Sequence, residues 1–143
     1  MEIQRDRVAS DSPLGYNEGV MELPASELAA LFDKLLSFSL PDGGLPYYRG
    51  NSSAAEATLL AALALSASGA PADHATPHVA WVQKLQNADG SVGVDPGHRD
   101  QGVWLTALAA IVFHHFRFAE SAHRALDFLI SLRSVTGPKD PKL

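Results

Sequence analysis

A turn sequence that recurs at a fixed spacing constrains the fold of this chain more than any other feature. Residues 85–93 (LQNADGSVG) carry the end of one helix, a sharp turn and the approach to another helix. Asp42, Asp89 and Thr136 open three such turns, each 47 residues from the next. The apolar positions before the turns keep the same register, as Leu35, Val82, Leu129 and as Phe38, Leu85, Leu132. A period of roughly 20–50 residues with matched apolar positions predicts a repeat architecture.

Five helices are predicted around these turns, and they alternate in character. Helices near residues 24–39, 77–86 and 119–133 carry one apolar stripe opposite polar side chains, which is typical of half-buried helices. Helices near residues 53–69 and 101–116 are apolar on most of their circumference, which predicts burial or the lining of a cavity. The last helix is expected to direct Leu126, Leu129, Ile130 and Leu132 inward. The alternation predicts an all-α fold of two layers, an α/α toroid or solenoid of helical hairpins.

Three local signals refine this prediction. Ser53 and Glu56 fit a capping box at the start of the second helix. Pro77 is expected to open the third helix, because proline is favoured at the first helical position. His74 would then precede that helix, so we do not expect it to share a face with His78, and we predict no metal site.

Length and composition are those of one globular domain. The chain has 143 residues, of which 46% are hydrophobic, and its net charge is −5 without a basic cluster. A nucleic-acid partner is therefore not expected. The sequence has no cysteine, which removes disulfides, thiolate nucleophiles and cysteine-ligated metal sites. We expect residues 1–23 to be an extended or disordered lead-in, residues 24–137 the domain and residues 138–143 a tail.

Neither a secretory signal nor a membrane span is expected. The first residues carry charges and no apolar run. The longest apolar stretch, residues 54–67, is interrupted by Glu56, Thr58 and Ser66, and it is too short and too polar to cross a bilayer. The sequence therefore predicts a cytoplasmic protein.

The turns resemble the QW repeats of the terpenoid cyclase and protein prenyltransferase superfamily, which includes squalene–hopene cyclase. There an outer helix ends in Gln-x-x-Asp-Gly-x-Trp and leads into an inner helix. Residues 86–92 (QNADGSV) are the better copy, and residues 42–45 (DGGL) with the following Glu56 are the second. The resemblance covers about residues 25–137 and implies an α/α toroid. A closed ring of that family has about six hairpins, and this chain offers about two and a half. The resemblance therefore implies that the chain is a half-ring. A second copy or a related short helical protein would complete it.

The sequence also departs from the family pattern. Leu45 and Val92 stand where the family has tryptophan, and Ser39 and Arg133 stand where it has glutamine. No Asp-x-Asp-Asp motif occurs, and no cysteine is present for the family's zinc sites. Because of these departures, we expect no metal and no cofactor.

In such rings, the cavity is lined by the inner helices and by the loops that lead into them. The substrate-binding candidates are then Tyr47, Tyr48, Arg49, Arg99 and Trp104. The aromatic rings could shape an apolar pocket or face a developing cation, and the two arginines could hold an anionic leaving group. The catalytic candidates are Glu56, His98 and Asp100. Either Asp95 or Asp100 could orient His98 as an acid and base.

Most of the candidates also have a plainer structural explanation. Glu56 completes the capping box, and residues 95–97 (DPG) form a turn sequence. His98 and Arg99 fit solvated loop positions. The two tyrosines can pack under their loop, and Trp104 can belong to the core or to a cavity wall.

Two functions follow from these features. One is an enzyme, a cyclase-like subunit that binds a small molecule of specialised-metabolite or isoprenoid type in a cavity formed by dimerisation. It would promote ring closure or elimination, a lyase-type reaction, by acid/base and anion stabilisation without metal. The other is a non-catalytic binding or scaffold module of the same repeat fold. An enzyme requires Glu56, His98 and Asp100 at one enclosed cavity, whereas a scaffold fills the lumen with alanine and leucine.

Overall fold

The computed structural model describes residues 23–132, which form five α-helices. They are α1 (Ala25–Leu36), α2 (Ala55–Ala67), α3 (Ala72–Gln83), α4 (Val103–His115) and α5 (Ala119–Ser131). Within this range, β pairing is limited to two isolated bridges, at Leu45 with Ala54 and at Gln86 with Val92. The prediction of an all-α fold is therefore confirmed. The predicted turn at Thr136, the tail and almost all of the lead-in lie outside the described residues.

The helices pack as two pairs that are joined through α2 and α4. Helix α2 packs along α3, helix α4 packs along α5, and α2 also contacts α4. One hydrophobic core lies between them, and its largest fully buried side chains are Phe113, Leu59, Leu65 and Leu105. Helix α1 has no fully buried residue, although Phe32, Leu35 and Leu36 reach the margin of the core. It is the edge of the described fold.

The first two turns share the same local geometry at the 47-residue spacing. The carboxylate of Asp42 accepts the backbone N–H of Gly44 at 3.0 Å. The carboxylate of Asp89 accepts the backbone N–H of Ser91, also at 3.0 Å. The glycine that follows each aspartate has a φ of 95° in the first turn and 94° in the second. The sequence spacing therefore corresponds to a structural repeat.

A buried threonine completes each repeat after the turn. The backbone N–H of Leu45 donates to the hydroxyl of Thr58 in α2 at 2.9 Å. In the second repeat, the N–H of Val92 donates to the hydroxyl of Thr106 in α4, again at 2.9 Å. Both threonines are fully buried. Because a buried N–H requires a partner, each threonine fixes the chain leaving the turn to the helix that follows.

Each turn also packs against the backbone of the next amphipathic helix. A Cβ atom at Gly43 would lie 3.7 Å from the carbonyl oxygen of Pro77 in α3. A Cβ atom at Gly90 would lie 2.0 Å from the carbonyl oxygen of Arg124 in α5. Pro77 and Arg124 are themselves 47 residues apart. The repeat therefore includes the contact between each turn and its following helix.

Gln86 strengthens the second of these contacts. Its side-chain amide donates to the carbonyl of Gly90 at 3.1 Å and to that of Ser121 in α5 at 2.9 Å. Ser39 occupies the equivalent position of the first repeat, and its buried hydroxyl has no hydrogen-bond partner within residues 23–132. The shorter serine leaves the first turn without this bond to the neighbouring helix.

Helix α3 begins at Ala72, so the prediction that Pro77 opens it is wrong. Pro77 lies inside the helix, where its ring removes the N–H that would otherwise bond to the carbonyl of Asp73. Asp73 is exposed, so water can hydrate that carbonyl and the helix tolerates the proline.

The earlier start of α3 corrects the prediction for its histidines. His74 and His78 lie one turn apart on the same helix and share a face. His78 is buried, and its Nδ1 lies 2.7 Å from the carbonyl oxygen of Gly43, whereas His74 is exposed. His78 therefore holds the first turn against α3.

Two other predictions are wrong. Helix α2 has Ala54 as its N-cap and, within the described residues, no side-chain cap, so Ser53 and Glu56 form no capping box. The hydroxyl of Ser53 donates to Asp42 at 2.8 Å instead, because Ser53 packs against the first turn. At the last helix, Ile130 is 81% exposed rather than directed inward, and Leu126 and Leu132 are also exposed.

Candidate functional site

The two loops that precede α2 and α4 meet at one end of the fold. Loop one is residues 45–54 and loop two is residues 93–102. The N–H of Ala55, the first residue of α2, donates to the carbonyl of Val94 in loop two at 2.8 Å. The N–H of Ala54 donates to the carbonyl of Leu45 in loop one at 2.9 Å. The start of α2 is therefore bonded to both loops, which hold most of the predicted site residues.

Glu56 and Tyr47 form a hydrogen-bonded pair at this end. The Tyr47 hydroxyl donates to Oε2 of Glu56, which is half-buried in the first turn of α2. Desolvation and the bond to the Glu56 carboxylate raise the pKa of Tyr47 to about 12. The tyrosine therefore stays protonated at neutral pH and directs its proton to Glu56. A hydroxyl with so high a pKa is a weak acid at neutral pH, so the Glu56 carboxylate is the member of the pair that can accept a proton from a ligand.

His98 and Asp95 form a second pair in loop two. Nδ1 of His98 lies 3.0 Å from both carboxylate oxygens of Asp95. Desolvation opposes ionisation of Asp95, but bonds from His98 and from the N–H of Gly97 outweigh it and lower the pKa of the carboxyl group. The carboxylate orients the imidazole through Nδ1, so proton exchange with a ligand would use Nε2. Of the two partners that the sequence left open, the structure pairs His98 with Asp95.

The predicted anion-binding arginines are engaged in separate local contacts. The guanidinium of Arg49 lies 4.7 Å from the ring centre of Phe38. Arg99 donates from a terminal nitrogen to the carbonyl of Lys84 at 2.5 Å. Asp100 lies with Arg99 and Asn87 at an open polar depression on the surface. Arg49 and Arg99 therefore make different contacts and do not form one anion-binding site within the single chain.

Helices α2 and α4 expose an apolar face. We define the apolar face as Leu60, Ala64 and Ala67 of α2 with Trp104, Ala107 and Ile111 of α4, all of which are exposed. Leu60 is 51%, Trp104 57% and Ile111 63% exposed. The spacing of three and four residues puts these side chains on one side of each helix. Because α3 and α5 pack against the other sides, the apolar face is turned away from both.

None of four pockets lined by residues 23–132 brings together the predicted catalytic residues Glu56, His98 and Asp100. Tyr48, 73% exposed, and Trp104 face solvent, so neither belongs to the core. The part of the chain that the structure describes holds no group of three metal-ligating side chains.

Sequence reasoning missed a pocket at the opposite end of α2 and α4. It has a volume of about 260 Å³, and its polar lining residues are Ser66, Thr76, His115 and Arg117. Ser66 Oγ and His115 Nε2 lie 2.7 Å apart across the two helices. Arg117 could have pointed to this pocket from the sequence. It follows α4 at the position where Gly69 follows α2, so the second repeat has an arginine where the first has a glycine.

No helix within residues 23–132 has both the length and the hydropathy needed to cross a membrane. The chain was also compared with known proteins. No protein-family model, no curated protein and no solved structure matches it.

Proposed function

We propose that this chain is one half of a closed α/α ring whose interior binds a small apolar molecule. The observation that carries the proposal is the apolar face, where Leu60, Trp104 and Ile111 are each more than half exposed. Contiguous apolar surface of this kind usually marks an interface or a binding groove. In a closed ring, the same side chains would line the lumen.

The repeat supports the ring. Each turn is bonded to the following apolar helix through Thr58 or Thr106 and packs on the next amphipathic helix. Continued addition of the same unit produces a curved two-layer array. The two helix pairs and the edge helix α1 are fewer than the six or so hairpins of the toroids that the turns resemble, so closure requires a second copy or a related short helical protein.

The catalytic form of this proposal is a cyclase-like subunit. Tyr47–Glu56 and His98–Asp95 are two proton-transfer pairs on loops that meet at the start of α2. They would flank the mouth of the ring and promote ring closure or elimination by proton transfer, without metal. Tyr48, Arg99 and Asp100 are exposed nearby on the same loops and would complete the site with residues of the second chain.

A non-catalytic binding or scaffold module is the second candidate. The specific observation in its favour is the composition of the apolar face, where alanine occupies three of the six positions. In addition, none of the four pockets lined by residues 23–132 brings Glu56, His98 and Asp100 together. Both candidates require the ring, and they differ in whether the loop pairs do chemistry.

Light scattering on the purified chain tests the ring. We expect a particle of about 30 kDa, twice the 15.2 kDa chain, or a discrete complex with a related short helical protein after co-expression. Ile111→Glu puts a charge on the apolar face that would line the lumen, and it should weaken the binding of an apolar probe without changing the particle mass, because a carboxylate in an apolar cavity is strongly unfavourable. His74→Glu is the matched control, since it puts the same charge at an exposed position of α3 that is not part of the apolar face. If the wild-type chain is a stable monomer both when purified alone and after co-expression with the related protein, the proposal is contradicted.

The chemistry is tested separately on the assembled particle. Linear isoprenoid diphosphates serve as probes, and extracts are searched for cyclised or elimination products by gas chromatography with mass spectrometry. Glu56→Gln should remove the products and leave the particle mass unchanged. An assembled particle whose tryptophan emission shifts when it binds a probe, but which forms no product, supports the scaffold candidate.

A further inference from the structure

The ends of α2 and α4 have the same geometry but different residues at the critical position. After α2, the N–H of Ala70 donates to the carbonyl of Leu65 at 3.0 Å, and Gly69 has a φ of 75°. After α4, the N–H of Phe118 donates to the carbonyl of Phe113 at 2.8 Å, and Arg117, which is equivalent to Gly69, has a φ of 64°. This six-to-one bond with a left-handed residue is the Schellman motif, which normally uses glycine.

Arg117 occupies that left-handed position after α4. It is the one non-glycine residue with a positive φ within residues 23–132. A side chain is disfavoured there, and Gly69 shows that the same helix end forms without one. Folding therefore does not require arginine at this position, and Arg117 is one of the residues that line the pocket of about 260 Å³.

The lining of this pocket favours a negatively charged ligand. Its charged or titratable members are Arg117 and His115, and no lining residue carries a carboxylate. This is unexpected by composition, because the whole chain has 16 acidic residues against 11 basic ones. The pocket lies at the C-terminal ends of α2 and α4, where the helix dipoles disfavour an anion, so binding of a negative ligand there depends on the positive charge of Arg117.

Ser66 and His115 can supply further donors. Their side chains lie 2.7 Å apart, from Ser66 Oγ to His115 Nε2. When Nε2 carries the proton, it donates to the serine oxygen, and the serine hydroxyl is then able to donate into the pocket. The Thr76 hydroxyl donates to the carbonyl of Ala72 at 2.9 Å, so it contributes an oxygen to the wall rather than a proton.

We propose that this pocket binds a phosphate group, either as inorganic phosphate or as part of a small phosphate ester, with Arg117 as its main ligand. The guanidinium group matches two phosphate oxygens with two parallel N–H donors, and the Ser66 hydroxyl supplies a third. The pocket has more volume than the ion alone needs, so a small organic group fits beside it. The site is formed by one chain and does not depend on ring closure.

Thermal unfolding with added phosphate tests the proposal, at ionic strength held constant with sodium chloride. We expect phosphate to raise the Tm of the wild-type chain in a saturable way, because a ligand that binds the folded state stabilises it. Arg117→Gly should itself raise the starting Tm, since it relieves the left-handed side chain, yet require at least about tenfold more phosphate for the same shift. Lys84→Ala removes the same charge from an exposed position away from the pocket and should respond like the wild type.

Backbone amide chemical shifts locate the bound anion. Phosphate should move the amide signals of Ser66, Ala72 and Arg117 in the wild type but not in Arg117→Gly. Phenyl phosphate that binds more tightly than inorganic phosphate identifies an ester as the ligand, and equal binding identifies the free ion. Identical phosphate responses of wild type and Arg117→Gly, or shifts confined to other residues, overturn the site.

Discussion

Replacing the turn glycines one at a time measures how firmly each turn is packed against its following helix. Gly43 and Gly90 are equivalent positions with φ values of 95° and 94°. Alanine at either position meets the same backbone strain, which for a non-glycine residue in this region is roughly 1–3 kcal/mol. The two sites differ only in what the new methyl group contacts.

The surroundings predict a large difference between the two variants. At Gly43, a Cβ atom has its nearest neighbour, Trp81 Cβ, at 3.6 Å, which is ordinary contact. At Gly90, it would lie 2.0 Å from the carbonyl oxygen and 2.7 Å from the carbonyl carbon of Arg124. Helix α5 or the turn must move by more than 1 Å, and overpacking of this kind costs about 1–3 kcal/mol beyond the strain. Gly90→Ala should therefore lose about 2–6 kcal/mol and Gly43→Ala about 1–3.

Urea unfolding followed by circular dichroism at 222 nm gives both values. The comparison is valid if the dependence of the free energy of unfolding on urea is unchanged, since the midpoints then report stability alone. Gly90→Ala should also weaken the bond from Arg124 to the carbonyl of Asn87, now 2.5 Å long. Equal losses at the two glycines would show that the second turn is not packed against α5 as described, and the reasoning would be refuted.

Two further predictions concern groups that the fold buries or pairs. Thr58→Val and Thr106→Val each keep the side-chain shape but leave a buried backbone N–H without its acceptor. Each should therefore lower the free energy of unfolding by about 1–3 kcal/mol. The control Thr76→Val, at an exposed residue, should change the free energy of unfolding much less. Tyr47 should titrate near its raised pKa of about 12 in absorbance at 295 nm, and Glu56→Gln should lower that pKa towards 10. Because the pKa of Tyr47 is higher in the folded than in the unfolded chain, the stabilisation from this pair is complete below pH 10 and is lost as the pH rises to 12. If Glu56→Gln leaves the titration of Tyr47 at 295 nm unchanged, the pairing is disproved.

The fold could be predicted because its main signals are periodic. The five helices, the alternation of amphipathic and apolar segments and the turns at Asp42 and Asp89 all repeat, and each observation supports the others. The start of α3 could not be predicted in this way. Pro77 carries a strong local signal for a first helical turn, but proline is also tolerated where the carbonyl it leaves unpaired is hydrated.

The capping box failed for a different physical reason. Ser53 and Glu56 have the right spacing, but each side chain has a stronger partner in a segment distant along the chain. Ser53 bonds to Asp42 in the first turn, and Glu56 accepts the hydroxyl of Tyr47. A local motif competes with tertiary contacts for the same hydrogen-bonding groups, and the sequence alone does not show which contact forms.

Differences between the two repeats indicate where function is to be sought. Folding makes the same demands on both, so a feature present in both, such as the threonine that holds the turn, is explained by stability. Glu56 and Trp104 stand at equivalent positions of α2 and α4, and Gly69 and Arg117 stand at equivalent helix ends. One repeat folds without each of these side chains, so the fold that the two repeats share does not require them. Arg117 is the sharpest case, because the fold would be better served by glycine and the arginine instead lines a pocket.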